Sequence, residues 1–407
     1  MKLTAMGKFA LLLIVLGVAF GGWKAFQNMT GKTGVTVSPR PTANSGSGDT
    51  PSTQDTPDTE PTSATNGESG TAPVAANEIA LVTNPGKRGW LDEQIDRFNA
   101  QSDVKIKLRA LATREAMHSM IDKGQTNHPA LWSPSSIIWA DRLAEVKGSN
   151  VLDTSNPGAY RRVLRTPLVF LTTKEKAAFL KPLLSSQSCW TNVEALSTGR
   201  KKCPWGPFKW AHADPIQSNS GMLTLALIVA DYASRTGQSA SIEKIPNNGA
   251  FLDYFKRLEK SAVYDSAVKK GSTALIKSFA EDSGRYDFIT AYEAQAMGVV
   301  ADDSKLAVIY PNPTVNAESA VAFLDWGDAS PEQKTAAQEF LKFVAQPPSA
   351  LDGVKEHYRP FRGASLNDQL NQYSGNGFQI NYPSIELPPY NALNGLAYQW
   401  STQIAGK

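Results

Sequence analysis

Along this chain, short apolar runs alternate with longer stretches that carry one apolar face, and Pro/Gly/Ser-rich segments separate them. The stretch Trp210–Tyr232, WAHADPIQSNSGMLTLALIVADY, organises the rest. Met222 to Ala230 is apolar on every side except at Thr224, so it predicts a helix buried against a sheet. Ser218, Asn219 and Ser220 before it are N-cap types, and Gly221 lets another group approach the first turn closely. The unpaired N–H groups there can bind a polar or anionic ligand, or the side chains can simply cap the helix.

Strands are predicted at Glu78–Val82, Lys105–Leu111, Pro167–Thr172, Tyr286–Thr290 and Leu306–Tyr310, with Glu318–Leu324 as an edge strand. One helix begins near Trp90 with Leu91, Ile95 and Phe98 on its apolar face. Another is expected with Ser133 as N-cap and Pro134 at its first position, running to about Val146. Phe251–Lys260 reads as a helix, Ser330-Pro331-Glu332-Gln333 repeats the cap and proline start ahead of Ala336, Phe340 and Phe343/Val344, and a last helix is expected at Asn391–Ala405. Strands alternating with helices imply an α/β fold around a mainly parallel sheet.

The first part of the chain has another character. Lys2 and Lys8 precede Phe9–Trp23, an uncharged and mostly apolar run of membrane-targeting type. As a helix it would span roughly 23 Å against a hydrocarbon core of about 30 Å, so residues 1–29 are read as a signal anchor or a cleaved signal peptide, the anchor being preferred. Residues 30–77 are rich in Thr, Ser, Pro and Gly and are expected to be a disordered linker, with a reach of roughly 35–40 Å.

Length and charge narrow the choice of partners. The chain has 407 residues, which suits about two domains once its first part is set aside. A formal net charge of +3 with no basic stripe argues against nucleic acid as a partner. Only Cys189 and Cys203 are present, and in an exported chain they are expected to form a disulfide. A zinc site is disfavoured, because the nearest histidine is His212 and no second ligand pair follows. With no G-x-S-x-G elbow and four histidines in all, a hydrolase is poorly supported as well. His212 is expected to be a structural hydrogen-bonder.

Small polar residues gather at four strand-to-helix junctions: Thr83/Asn84, Ser133/Ser135, Ser218/Ser220 and Tyr292/Glu293. Several helix N-termini converging on one cleft are what a dehydrated polar ligand needs. The succession LVTNPGKRGWLDEQIDRFN, LWSPSSIIWADRL, HADPIQSNSGMLTLALIVADY, YDFITAYEAQAM, LAVIYPNPTVNAESAVAFLDW, SPEQKTAAQEFLKFV and HYRPF resembles the type II extracytoplasmic solute-binding proteins, in the branch that includes the molybdate-binding periplasmic proteins. That resemblance covers roughly Glu78 to Lys407.

It implies a two-lobed type II periplasmic-binding-protein fold with two crossover strands, near Pro167–Thr172 and Leu306–Tyr310. Residues 78–166 and 307–407 would form the first lobe and 167–306 the second. Ligand contacts are then expected from Thr83, Asn84, Ser133, Ser135, Ser218, Ser220 and Tyr292, with Glu293 beside them and needing Lys87 or Arg88 to offset its charge. The turn Asn84-Pro85-Gly86-Lys87 replaces the Ala/Ser-rich turn of the oxyanion binders, and Ser319 stands where they tend to place tyrosine. The ligand class therefore stays open between a small polar solute and an oxyanion. The implied function is solute capture outside the cytoplasm for an ABC-type transporter, without catalytic group, cofactor or metal. The alternative is a membrane-anchored envelope sensor or interaction protein on the same fold.

Overall fold

The computed structural model describes residues 77–122 and 128–405. The expected targeting segment and all but the last residue of the 30–77 linker lie outside the described residues. Strands follow in chain order as β1 (Glu78–Thr83), β2 (Lys105–Ala110), β3 (Leu131–Ser133), β4 (Tyr160–Thr173), β5 (Trp210–Ala211), β6 (Phe288–Tyr292), β7 (Leu306–Ile309), β8 (Asn316–Phe323) and β9 (Arg359–Pro360).

Strand β4 is longer than its apolar run suggested, because Tyr160–Arg165 extend Pro167–Thr172 backwards. Its two halves serve different sheets. From Tyr160↔Ala322 to Pro167↔Asn316 it pairs with β8, and from Leu168↔Tyr292 onward it pairs with β6, with β7 joining at Phe170↔Ile309. The order β2-β1-β3-β8-β4 builds the first lobe, and β4-β6-β5 with β7 builds the second. β1 runs parallel to β2 and β3, and β5 to β6, whereas β4 meets every neighbour antiparallel and so does β8. The sheet is therefore mixed rather than mainly parallel, since a strand shared by both lobes must be met by a returning strand.

That returning strand is β8. It lies between β3 and β4 instead of at an edge, and Ala320, Val321 and Ala322 are fully buried there. A run that is small or apolar on both faces suits a central strand. β7 pairs only with the second-lobe half of β4, so the return crossing is made by residues 310–316 and not along β7 itself.

The expected buried helix is Asn219–Arg235, in which Asn219 through Val229 are all buried. Each large apolar side chain there stabilises the fold by roughly 1.5–3 kcal/mol. Its one polar interior group is satisfied, as the Thr224 hydroxyl bonds Thr290 Oγ1 of β6 at 3.0 Å. Ser330 forms the expected capping box with Gln333. The Ser133-Pro134 start is not observed: Ser133 ends β3, and the helix is Ile137–Lys147 with Ser136 at its N-cap. The intervening residues are held as a loop because Ser133 and Pro134 accept hydrogen bonds from Lys87. The tail, expected with the first lobe, packs largely on the second: Leu366, Leu370 and Phe378 join Val169, Leu171 and Val308, and the Tyr390–Gln403 helix lies on the Asn219–Arg235 helix.

The expected disulfide is not formed; Cys189 and Cys203 are both free and buried. Cys189 opens the Cys189–Ser197 helix, which carries the chain roughly 12 Å away at 1.5 Å per residue. Asp231 is the charge near Cys189, while Asp287 and Lys176 are those near Cys203, so the two thiols face different surroundings. His212 is a structural hydrogen-bonder, with Nδ1 2.9 Å from Ala213 O and Nε2 3.1 Å from Glu259 Oε1.

The group that approaches Gly221 closely belongs to the chain itself. A Cβ at this position would sit 2.1 Å from Ala213 O and 2.8 Å from Pro215 N, both backbone atoms that cannot swing aside. Gly221→Ala should therefore destabilise by about 3 kcal/mol or more. Urea unfolding of the purified domain measures this, and a midpoint equal to that of the parent would contradict it.

Candidate functional site

β1 and β3 run parallel and end side by side at Thr83 and Ser133, so the loops that follow share one rim. This is where open α/β sheets bind ligands. Asn84, Gly86 and Lys87 come from the first loop and Ser135 from the second. The second lobe faces them with Ser272, Tyr292 and Gln295. Thr166 of β4, Ala317, Glu318 and Ser319 of β8, and Tyr358 complete the wall of a small interlobe cavity of about 30 Å³. In this closed arrangement the space holds little more than a water molecule or a small ion.

Lys87 is buried at the cavity wall. Its Nζ donates to Ser133 O at 3.0 Å, Ser133 Oγ at 3.1 Å and Pro134 O at 2.6 Å, which uses all three ammonium protons. Burial pulls its pKa down from 10.5 to about 7, with only the more distant Glu318 charge acting against the change. Thr83 Oγ1 donates to the same Ser133 carbonyl at 3.3 Å. Asn84 caps the Pro85–Lys87 turn by accepting from Gly86 N at 2.9 Å. Ser135 Oγ bonds Thr113 Oγ1 at 3.0 Å.

Asn219 joins the lobes. Its Oδ1 accepts from Trp139 Nε1 at 2.8 Å and Ser136 Oγ at 3.2 Å, and its Nδ2 donates to Ser135 O at 3.3 Å and Tyr292 Oη at 3.2 Å. The whole carboxamide is thus engaged, three bonds crossing from the Asn219–Arg235 helix to the first lobe. Burial pushes the Tyr292 phenol above its usual pKa, which keeps it a neutral hydroxyl on the wall.

Of the residues expected at the site, Asn84, Ser135 and Tyr292 line the cavity directly. Thr83 and Ser133 stand behind it, positioning Lys87. Ser218 and Ser220 do not line it; their hydroxyls bond each other at 3.1 Å, and Ser218 makes no side-chain cap. Glu293 has a separate, structural partner set. Arg359 grips it with Nε at 2.7 Å and Nη2 at 2.6 Å, Tyr310 Oη also donates to it, and neither Lys87 nor Arg88 is involved. Burial alone would lower the Arg359 pKa, but the Glu293 hydrogen bonds and charge more than reverse that. Sequence reading underweighted Lys87, Glu318 and Asn219. The visible signals were a lysine in the first ligand loop and a lone acid on an otherwise apolar strand.

The profile of bacterial extracellular solute-binding proteins matches residues 79–350. The chain belongs to that family. Solved structures of solute-binding proteins share its fold. The sulfate-binding protein SubI from Mycobacterium tuberculosis H37Rv aligns with TM-score 0.52 and 14% identity over 81% of this chain and 99% of its own. A periplasmic thiamin binding protein aligns with TM-score 0.56 and 15% identity over 81% and 98%. Iron-bound HitA from Pseudomonas aeruginosa gives 0.56 and 14% over 82% and 100%. No curated protein matches at the level of sequence. At these identities the likeness establishes the two-lobed type II fold, while the three ligands differ widely among themselves.

Two outcomes follow for this solute-binding protein. Removing one member of a buried ion pair strands the other, so Glu293→Ala should cost about 3–5 kcal/mol in urea unfolding; a loss under 1 kcal/mol would contradict the structural role. For Lys87 the sign is worked from its depressed pKa: between pH 7 and 10 the unfolded chain holds a proton that the folded chain has released, so stability rises with pH. The increase is at most about 1.4 kcal/mol per pH unit. Unfolding measured across that range should show it in the parent relative to Lys87→Met, and a flat difference would contradict it.

Proposed function

We propose that this protein captures a small polar solute in the interlobe cavity and presents it, closed over, to an ABC-type membrane transporter. The observation that carries this reading is a cavity whose wall takes polar side chains from both lobes, at the point where β4 passes from one sheet to the other. Asn84, Ser135 and Tyr292 are assigned as contacts. Thr83 and Ser133 act through Lys87, while Ser218 and Ser220 shape the helix start that carries Asn219. Family membership supports a place outside the cytoplasm. Residues 1–29 would hold the domain to the membrane, with the 30–77 linker as a tether.

A cavity closed to about 30 Å³ cannot admit a solute without opening, so the lobes must move about the two crossings. Gly86 is exposed, and a Cβ there would lie 3.8 Å from Gln295 Nε2 and 3.9 Å from Thr273 Oγ1 across the cleft. Gly86→Trp should wedge the lobes apart while leaving both cores intact. Small-angle scattering is expected to show a larger radius of gyration for this variant than for the parent, and native mass spectrometry should show loss of any co-purified solute. An unchanged radius with full solute retention would overturn the closing mechanism.

A further inference from the structure

The wall of the interlobe cavity contains two buried acceptors without a hydrogen bond of normal geometry, Glu318 Oε2 and Gln295 Oε1. Buried acceptors in this condition are uncommon and costly, which points to a missing donor. The two nitrogen donors nearest to hand on the wall are turned elsewhere. Lys87 Nζ is turned to Ser133 and Pro134, and Gln295 Nε2 donates to Thr273 Oγ1 at 3.3 Å. An oxyanion would place further negative charge beside the Glu318 carboxylate.

A second observation lies just outside. Glu318 also lines an open groove of about 760 Å³ between the Ile137–Lys147 helix and residues 385–391. Asp141, Glu145, Glu243 and Glu386 line that groove with it, against Arg142 and Arg162. Such a surplus of acid concentrates cations and repels anions at the approach to the site.

We propose that the solute is a small cation bearing N–H donors, an ammonium, amine or guanidinium group, with Glu318 as its counter-ion and Gln295 Oε1 as a second acceptor. This rests on the capture reading above. The groups facing Glu318 are Tyr160 and Arg162 from β4, Lys87 from the loop after β1, and Asp141 from the Ile137–Lys147 helix. Arg162 Nη1 is 3.5 Å from Oε1, while Oε2 and the nearby Tyr160 hydroxyl are both buried without a hydrogen bond of normal geometry, so the carboxylate has one neutral donor beside it and no second cation of its own. Burial raises the Glu318 pKa, with Arg162 opposing it. A cation needs the ionised carboxylate, so its affinity should fall as pH drops, while an anion would show the opposite sign.

The test is calorimetric titration of the full chain with methylammonium and guanidinium, against sulfate and molybdate, at pH 5.5 and pH 8. At least one cationic probe is expected to bind, more tightly at pH 8. Glu318→Gln should weaken that binding about tenfold or more, the scale of one charge-assisted hydrogen bond. Gln295→Glu, which adds charge at the second acceptor, should strengthen it and serves as the independent variant if Glu318→Gln folds poorly. Binding of sulfate or molybdate that tightens at pH 5.5 and survives Glu318→Gln would overturn the cation assignment and leave solute capture standing. If no probe binds and the protein isolated from cells carries no small molecule, capture falls and the cation assignment falls with it.

Discussion

Both lobes of this protein are tied to a single strand. β4 supplies hydrogen bonds to β8 and β9 with its first half and to β6 and β7 with its second, so neither sheet is complete without it. A backbone group left unpaired at the centre of a sheet costs about as much as a lost hydrogen bond, which makes β4 the least deformable part of the molecule. Its pairing partners change between Pro167 and Leu168, and the return crossing is made at residues 310–316. The cavity sits at that change of partner because Thr166, just before it, and Ala317 to Ser319 opposite contribute to the wall. The change of strand partner and the cavity wall are thus set by one constraint.

The lobes share an apolar core, in which Trp132 and Trp139 pack with Leu223 and Trp400, and a polar latch beside it. Asn219 spends its carboxamide on Ser135, Ser136, Trp139 and Tyr292, in a region where water is largely absent. Each net hydrogen bond contributes about 1 kcal/mol, so a latch of this kind is strong enough to define a closed state and weak enough for thermal motion to break.

The fold was largely legible because its strongest signals are periodic. The apolar run at Met222–Ala230, the capping box at Ser330 and the short strands at β1, β6 and β7 all appear within a few residues of their expected places. What was not legible depended on pairing. β8 reads as an edge because Glu318 interrupts its apolar face, yet the acid is retained in a central strand since it faces the cavity. The Ser133-Pro134 signature is an ordinary helix start, and it was overridden by a side chain forty-six positions away, the Lys87 ammonium. Local rules failed where a buried charge imposed its own hydrogen bonds on the backbone.

The same reasoning explains why the site was only partly legible. Serines ahead of a helix, such as Ser218 and Ser220, look like ligand donors in isolation, but their hydroxyls can satisfy each other and here they do. Glu293 looked like a repulsive charge until Arg359, sixty-six residues later, was seen to neutralise it through two hydrogen bonds. Both judgements turn on whether a polar atom is already partnered, and that is a property of the folded chain. Once the partnered groups are set aside, the atoms left over on the wall are acceptors, Glu318 Oε2 and Gln295 Oε1. What a protein leaves unsatisfied on a cavity wall bears on what the cavity can hold, and here the fully buried atoms left over are two acceptors.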